Sequence, residues 1–506
     1  MTTHSSSLVR SFTIAIVAGC LVLGLFWAEI LAQSPVERMF RGDSLVPSPH
    51  RETPAIGDEN RRNAREDKEA GAGEEEEKKD DDKEPELPPG LLGYRLHGRG
   101  GLKAEYLYTG EMFTNMRGGV DTNDDTEYRG LFSLALTADL EQMHFAPGGK
   151  FFLLGENTHG RSLTEWQTGD FQWLSSIGGP EFTQVSEYWW ERGFWDGRLT
   201  VRLGKQDGNI DFAVVDLGGD FINSSFGMHP TIPMPSWPYN SMGAVVLLKL
   251  TDSLAFKSGV WDGTPEIGTW GFSGDGTTFS ICELEAQYKL GNRLPGDCHV
   301  GMWYHSGQFA DLAMIGPLGS RGPLGDWDGG FSFSRKTRPG NQPVGPLGAA
   351  DGVRTGNHGV YCGLEQLLFA EPVEPPGDKD AKGDDKDEPE EEAASDEDES
   401  PQGLGVFFQY GWAPEDRNEA EHYFGSGLVY KGLLHGRNDD VLGLGVAYVG
   451  FSDLLPLQTS ETAVELFYKA QLSPWTILEP DLQYIARPNG QQRDAFVFGL
   501  RFEVAL

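Results

Sequence analysis

From about residue 100 to the end, the chain repeats one pattern that constrains its fold more than any other feature. Segments of roughly ten residues alternate apolar and polar side chains, and turns or polar loops separate them. Phe132, Leu134, Leu136, Ala138 and Leu140 alternate with Leu131, Ser133, Ala135, Thr137 and Asp139. Val464, Leu466, Tyr468, Ala470 and Leu472 alternate with Glu465, Phe467, Lys469 and Gln471. Phe496, Phe498, Leu500, Phe502 and Val504 alternate with Val497, Gly499, Arg501 and Glu503. A period of two is the period of a β-strand, whose successive side chains point to opposite faces. The second face carries Glu, Lys, Gln and Arg, and burying so many charges in a dry core is prohibitive. One face therefore meets hydrocarbon and the other encloses water.

Gly is abundant, at 67 of 506 residues, which disfavours long helices and suits short strands with tight turns. Beyond the leader no run reaches 18 apolar residues, so strands of about 9–11 residues must make any membrane crossing. Such a sheet has to close, because an open edge in lipid leaves backbone groups unpaired. The sequence thus predicts an all-β, membrane-spanning antiparallel β-barrel with a disordered acidic N-terminal tail. The segments are 100–113, 126–141, 151–160, 183–194, 198–207, 243–251, 254–263, 278–290, 298–306, 357–370, 404–415, 420–434, 440–451, 462–473, 476–487 and 494–506. Sixteen is the even number a closed bacterial barrel requires, and it leaves an aqueous channel. Connections after even-numbered segments are mostly short and read as periplasmic; 161–182, 208–242 and 307–356 are long and read as external. The last of these repeats GPLG at 316–319, 322–325 and 345–348, and is either a turn-rich cover for the mouth or disordered.

The net charge of −36 is not spread evenly. Residues 74–86 hold nine acidic and three basic side chains, and residues 371–399 hold fifteen and three. Residues 33–92 are expected to be a disordered linker, and 371–403 an acidic periplasmic insert. The insert is either a solvated insertion or a contact for basic envelope partners or divalent cations. No basic stripe offers itself to nucleic acid. Arg10 followed by the apolar run Phe12–Phe26 and by Ala32 resembles a secretory signal over 1–32. A membrane-anchoring helix and lipoprotein processing at Cys20 are the alternatives. Cys282, Cys298 and Cys362 are expected unpaired. A hairpin centred near Leu294 separates Cys282 from Cys298 by roughly 26 Å, beyond disulfide reach. No spacing suggests zinc, and no metal or cofactor is expected.

A set of short motifs resembles the carbohydrate-selective porins of the OprB type. They are YTGEMFTNMRGG, NTHGRS at 157–162, the block Glu187 to Gly227 with RLGKQDGNIDF and FINSSFG, GVWDGTP at 259–265, ICELEAQY, GVYCGLEQLLF, GLGVFFQYGWAPEDRN and LEPDLQYIARPNG. The resemblance runs from about Tyr106 to Leu506. It implies a sixteen-stranded outer-membrane barrel passing sugars, glucose-like monosaccharides above all, by facilitated diffusion. Outer-membrane lipid and the barrel-assembly machinery are then partners. The chain ends at Leu506, where an aromatic residue is common, which bears on recognition by that machinery.

A sugar channel needs polar groups matched to hydroxyls and weak, serial binding. Arg and carboxylates serve the polar edges of a sugar, and Trp or Tyr its apolar face. The candidates are Arg202, inward by alternation; Glu187 and Arg192 on the preceding strand; Asp211 and Asn223 on the loop that follows; and Arg117 and Arg161 on other loops. Tyr188, Trp189 and Trp190 suit an interfacial girdle, and Lys205 a rim charge. The competing functions are a general or anion-selective porin and a cell-envelope anchoring barrel. An enzyme is not expected: no GxSxG occurs, and His159 beside Ser162 is only a loop neighbour.

Overall fold

The computed structural model describes residues 101–122, 126–291, 293–313, 353–371, 402–455 and 457–505. The expected leader, acidic linker, GPLG loop and nearly all of the acidic insert lie outside these residues. The described strands close into one antiparallel barrel of sixteen, each paired with its neighbours in sequence and the first with the last. They are β1 Leu102–Gly119, β2 Thr126–Asp139, β3 Gly149–Gly160, β4 Phe182–Phe194, β5 Leu199–Gln206, β6 Ser241–Thr251, β7 Leu254–Asp262 and β8 Thr278–Leu290. Then follow β9 Leu294–Ala310, β10 Val353–Ala370, β11 Gly403–Trp412, β12 Ala420–Lys431, β13 Val441–Phe451, β14 Ser460–Ser473, β15 Thr476–Ala486 and β16 Arg493–Ala505. Most ends fall within three residues of the expected ones. The larger differences are β1, which runs on to Gly119, β9, which extends in both directions, and β10, which begins earlier.

The expected alternation is realised around the barrel. On β16, Phe496 and Phe498 are exposed outward, whereas Ala495, Val497 and Arg501 are buried inward. Leu444, Val446, Leu466 and Phe424 continue the exposed outward belt. A contiguous apolar belt around a closed barrel cannot face water without aggregating, whereas lipid covers it at no cost. Cys282, Cys298 and Cys362 are free thiols, as expected. Cys282 pairs with Met302 and Cys298 with Ala286 across β8 and β9, so that hairpin is centred two residues earlier than Leu294.

The interior is not an empty tube. The loops 161–181 and 207–240 fold into it, and their apolar residues pack on inward wall residues. Phe221 stands edge-on to Phe407 and Phe467, with ring centroids 5.6 and 4.8 Å away. Phe212 packs edge-on against Trp261 at 5.8 Å. Wall glycines make the space. A Cβ on Gly443 would lie 2.1 Å from the Phe467 ring, and one on Gly445 would lie 2.5 Å from Phe221. Much of the glycine content of the strands thus serves close approach of rings.

Candidate functional site

Loop 207–240 must satisfy its backbone while lying inside a barrel, and side chains of the wall do this in order. Lys257 on β7 donates to the Asp211 carbonyl at 2.9 Å. Glu283 on β8 accepts from the Ala213 N–H at 2.8 Å, and Glu365 on β10 accepts from Leu217 at 3.0 Å. Glu465 on β14 takes both Ile222 and Asn223 N–H groups, at 2.6 and 2.9 Å. The chain then turns back, and Gln409 on β11 donates to the Phe226 carbonyl at 3.1 Å. Trp237 finally donates to Glu156 on β3 at 3.1 Å. The loop therefore follows the inner wall from β5 to β14 and returns, narrowing a lumen that sixteen strands would leave wide. Loop 161–181 is held likewise: Phe171 and Gln172 donate to Glu461 at 2.7 and 2.9 Å. Arg129 on β2 grips the Pro180 carbonyl at 3.2 Å. Charge-assisted bonds of this kind are the stronger class.

Arg202 lies where this loop begins. It points inward and is only 3% exposed. Its Nε and Nη2 reach one oxygen of Glu191 at 2.8 and 2.7 Å, and its Nη1 reaches Asp211 at 2.6 Å. The guanidinium also sits over the Trp189 ring, 4.7 Å from its centroid, a cation–π arrangement. Trp189 stacks on Phe152 at 4.8 Å and donates to Glu187 at 3.1 Å. One cation thus ties the wall strand β4 to the loop through two carboxylates.

The strand geometry explains which candidates meet. Leu154 pairs with Glu187 and Gly155 with Val185, so Ser186 is an extra residue, a β-bulge. Ser186 and Glu187 are both fully buried, and the alternation restarts there. Glu187, Trp189 and Glu191 point inward, so Arg192 cannot share the face of Glu187. It stands on the opposite face, its guanidinium over the Phe194 ring at 5.2 Å, which corrects the pore-lining expectation. Arg117 is likewise outward: it pairs with Phe496 and is exposed at the end of β1. Asn223 is fully buried, with its Oδ1 accepting from Ser225 N–H at 3.1 Å and its Nδ2 donating to Gln483 at 3.1 Å. It caps a short helical turn and anchors the loop rather than offering a free amide to a solute. Arg161 is an exposed mouth charge, 3.8 Å from Glu127. It borders a narrow cleft that Glu111, Arg129, Ser162 and Ser175 also line. Lys205 is not a rim charge; it is 2% exposed and donates to the Val185 carbonyl at 3.1 Å. Of the three aromatic residues only Trp189 turns inward.

Glu191, Arg129, Glu156 and Glu465 are not among the sequence-predicted candidates. Arg129 and Glu465 each lie on the charged face of an alternating segment, so a signal for them is present. One group on each inserted loop has a shifted acidity. Burial pushes the Asp170 carboxyl up from its ordinary range, against the Thr168 and Thr164 hydroxyls that donate to it. Burial pushes His229 down to about 3, helped by nearby His299. Both ring nitrogens of His229 lack a hydrogen-bond partner, and its ring lies 5.1 Å from Tyr423 and 5.8 Å from Tyr361.

Comparison with known proteins agrees with this architecture. The profile of the carbohydrate-selective porin, OprB family, matches residues 123–506. Porin B of Pseudomonas aeruginosa is 24% identical over 439 residues, covering 78% of this chain and 86% of that protein. The high-pH structure of Pseudomonas putida OprB superposes with a TM-score of 0.63 at 21% identity, covering 80% of this chain and 94% of that one. With the profile match spanning most of its length, the chain belongs to the OprB family of carbohydrate-selective porins and is an outer-membrane channel for sugars.

Proposed function

We propose that the channel passes glucose-like monosaccharides by facilitated diffusion and that the clamp of Arg202, Glu191 and Asp211 sets its narrow part. The observation that carries this reading is the buried Arg202 guanidinium joining the wall to loop 207–240, at 2.7 Å on one side and 2.6 Å on the other. A loop pinned at that point keeps the lumen small, and a small lumen lined by polar groups favours sugars over larger solutes. Glu187 and Trp189 belong to the same cluster and hold the clamp in place, Trp189 lying under the Arg202 guanidinium and donating to Glu187 at 3.1 Å. Arg161, at the mouth, meets the solute first. Weak serial contacts are what a diffusive channel needs, so no single residue binds tightly.

The remaining parts of the proposal concern delivery. Residues 1–32 direct export through the inner membrane, residues 33–92 are a solvated acidic linker, and 93–506 are the porin domain with its acidic insert at 371–403. Outer-membrane lipid covers the apolar belt, and the barrel-assembly machinery inserts the chain. Liposome swelling with a panel of sugars tests the reading. Glucose-sized sugars should enter several-fold faster than disaccharides; equal rates for both would refute the selectivity.

A further inference from the structure

We infer that the connection 263–277 is a strap seated on the membrane, lying in the headgroup zone of the outer leaflet with Trp270 and Phe272 against lipid. The inference rests on the reading above that lipid covers the apolar belt. β5 has 8 residues, the shortest of the described strands, and β7 has 9. The wall between β4 and β7 is therefore low. The connection from β7 to β8, external like the others after odd-numbered strands, does not rise straight from that rim. It leans back past β6 and β5 to β4. There Trp270 stacks on Tyr188, with ring centroids 5.8 Å apart, and the Tyr188 hydroxyl donates to the Trp270 carbonyl. Glu187 and Trp189 turn inward, so Tyr188 between them turns outward and the strap lies on the outside of the barrel.

Hydrogen bonds hold the strap in this pose. Ser273 Oγ donates to Asp262 at 2.7 Å, and Gly263 N–H donates to the Thr277 carbonyl at 3.1 Å, which closes its neck. Gly268 N–H donates to Gln184 Oε1 at 2.8 Å, while Gln184 Nε2 donates to the Pro238 carbonyl at 3.0 Å. One rim amide thus joins the strap outside the wall to the loop inside it. Held this way, the strap leaves Trp270 and Phe272 67% and 71% exposed. Continuity with the belt identifies what covers them. Leu203, Val246 and Val260 are exposed outward on β5, β6 and β7, the strands the strap leans across. The backbone sets the depth. An irregular loop cannot lie exposed in hydrocarbon, where its N–H and C=O groups go unpaired. At headgroup level the backbone stays hydrated while aromatic rings meet the upper acyl chains, the place tryptophan favours. Residues 263–277 contain no Lys, Arg or His, so the contact depends on rings and not on pairing with lipid phosphates.

The test uses the full chain, its four cysteines replaced by alanine, in dioleoylphosphatidylcholine vesicles. A nitroxide is attached through Phe272→Cys. Reference labels go on Phe498→Cys in the outward belt and on Asp453→Cys, an exposed site on the external connection 452–459. Oxygen partitions into the bilayer and a nickel chelate stays in water, so the ratio of their accessibilities reports depth. The ratio at Phe272 should lie several-fold above that at Asp453 and below that at Phe498. A ratio equal to that at Asp453 places the strap in water and overturns the inference. Low accessibility to both reagents also overturns it, because a second copy of the chain then covers the ring. If the labelled chain fails to assemble, the native chain and Trp270→Phe are compared in ordinary and brominated lipid. The fluorescence that the substitution removes should be strongly quenched by the brominated lipid; fluorescence that is not quenched overturns the inference. A Phe498 label open to the nickel chelate removes the lipid-covered belt and the strap together, whereas failure at Phe272 alone leaves the belt standing.

Discussion

Glu111 on the first strand and Arg501 on the last are in register across the seam that closes the barrel, with Arg501 Nε 2.8 Å from the Glu111 carboxylate. The same carboxylate accepts from Ser175 Oγ at 2.6 Å, and Arg501 also donates to Ser176 Oγ at 3.0 Å. A single ion pair therefore fixes both the closure of the sheet and the seat of the loop 161–181 inside it. Arg501→Met strands a buried carboxylate and should cost about 3–5 kcal/mol. The expected readout is a lower temperature for loss of the folded, heat-modifiable band on a gel. Adding Glu111→Gln to that variant should restore part of the loss, because the unpaired charge is then gone.

Removing the clamp on the other inserted loop tests the constriction. Arg202→Ala leaves Glu191 and Asp211 facing each other without a cation, so the start of loop 207–240 should leave the wall. Single-channel conductance should rise, and block of the current by glucose should weaken several-fold, while the barrel still assembles. Unchanged conductance and unchanged block would show that Arg202 does not set the narrow part.

Glu465 makes two charge-assisted bonds to the loop, to Ile222 and Asn223 N–H. Glu465→Gln keeps the shape but removes the charge, at a cost of about 1.5–3 kcal/mol. Amide hydrogen exchange at Ile222 and Asn223 should speed up by roughly 10- to 100-fold. Exchange in β12 and β13 should not change, since the barrel hydrogen bonds are untouched.

His229 gives the inserted loop a pH dependence. Its folded pKa, about 3, lies below the ordinary value of 6.5 because burial disfavours the imidazolium. The unfolded or detached loop therefore binds the proton first. The stability of the packed loop is complete above about pH 6.5 and falls as pH drops toward 3. At pH 4.5 the penalty is about 3 kcal/mol. Limited proteolysis of loop 207–240 should accelerate on acidification in the native chain. His229→Phe, which retains a ring between Tyr361 and Tyr423, should blunt that acceleration.

The strands are legible in the order of residues because lipid on one side and a polar interior on the other impose a two-residue period that composition alone does not hide. Strands that run past their expected bounds do so in stretches such as Asn115-Met116-Arg117-Gly118-Gly119, where glycine and polar residues carry no alternation but neighbouring strands still supply hydrogen bonds. Alternation puts Arg202 inward for the right reason, a strand face. Glu187 and Arg192 stand five residues apart, so alternation already sets them on opposite faces and groups Glu191 with Glu187; what nothing local to the sequence marks is the extra residue at Ser186. Such a bulge comes from the pairing of β4 with β3, and it flips every side chain beyond it.

The chain's own order of residues determined the class of solvent on each strand face, the number of crossings and the side on which long connections emerge, since these follow from hydrophobic period and turn chemistry. It could not determine how two long loops lie inside the barrel. Their backbone N–H groups and carbonyls find partners hundreds of residues away, as Phe171 does on Glu461. Which wall carboxylate is spent on a loop, which on an arginine and which left unbalanced was decided only when the sheet closed, because closure brings those charges to within hydrogen-bonding distance.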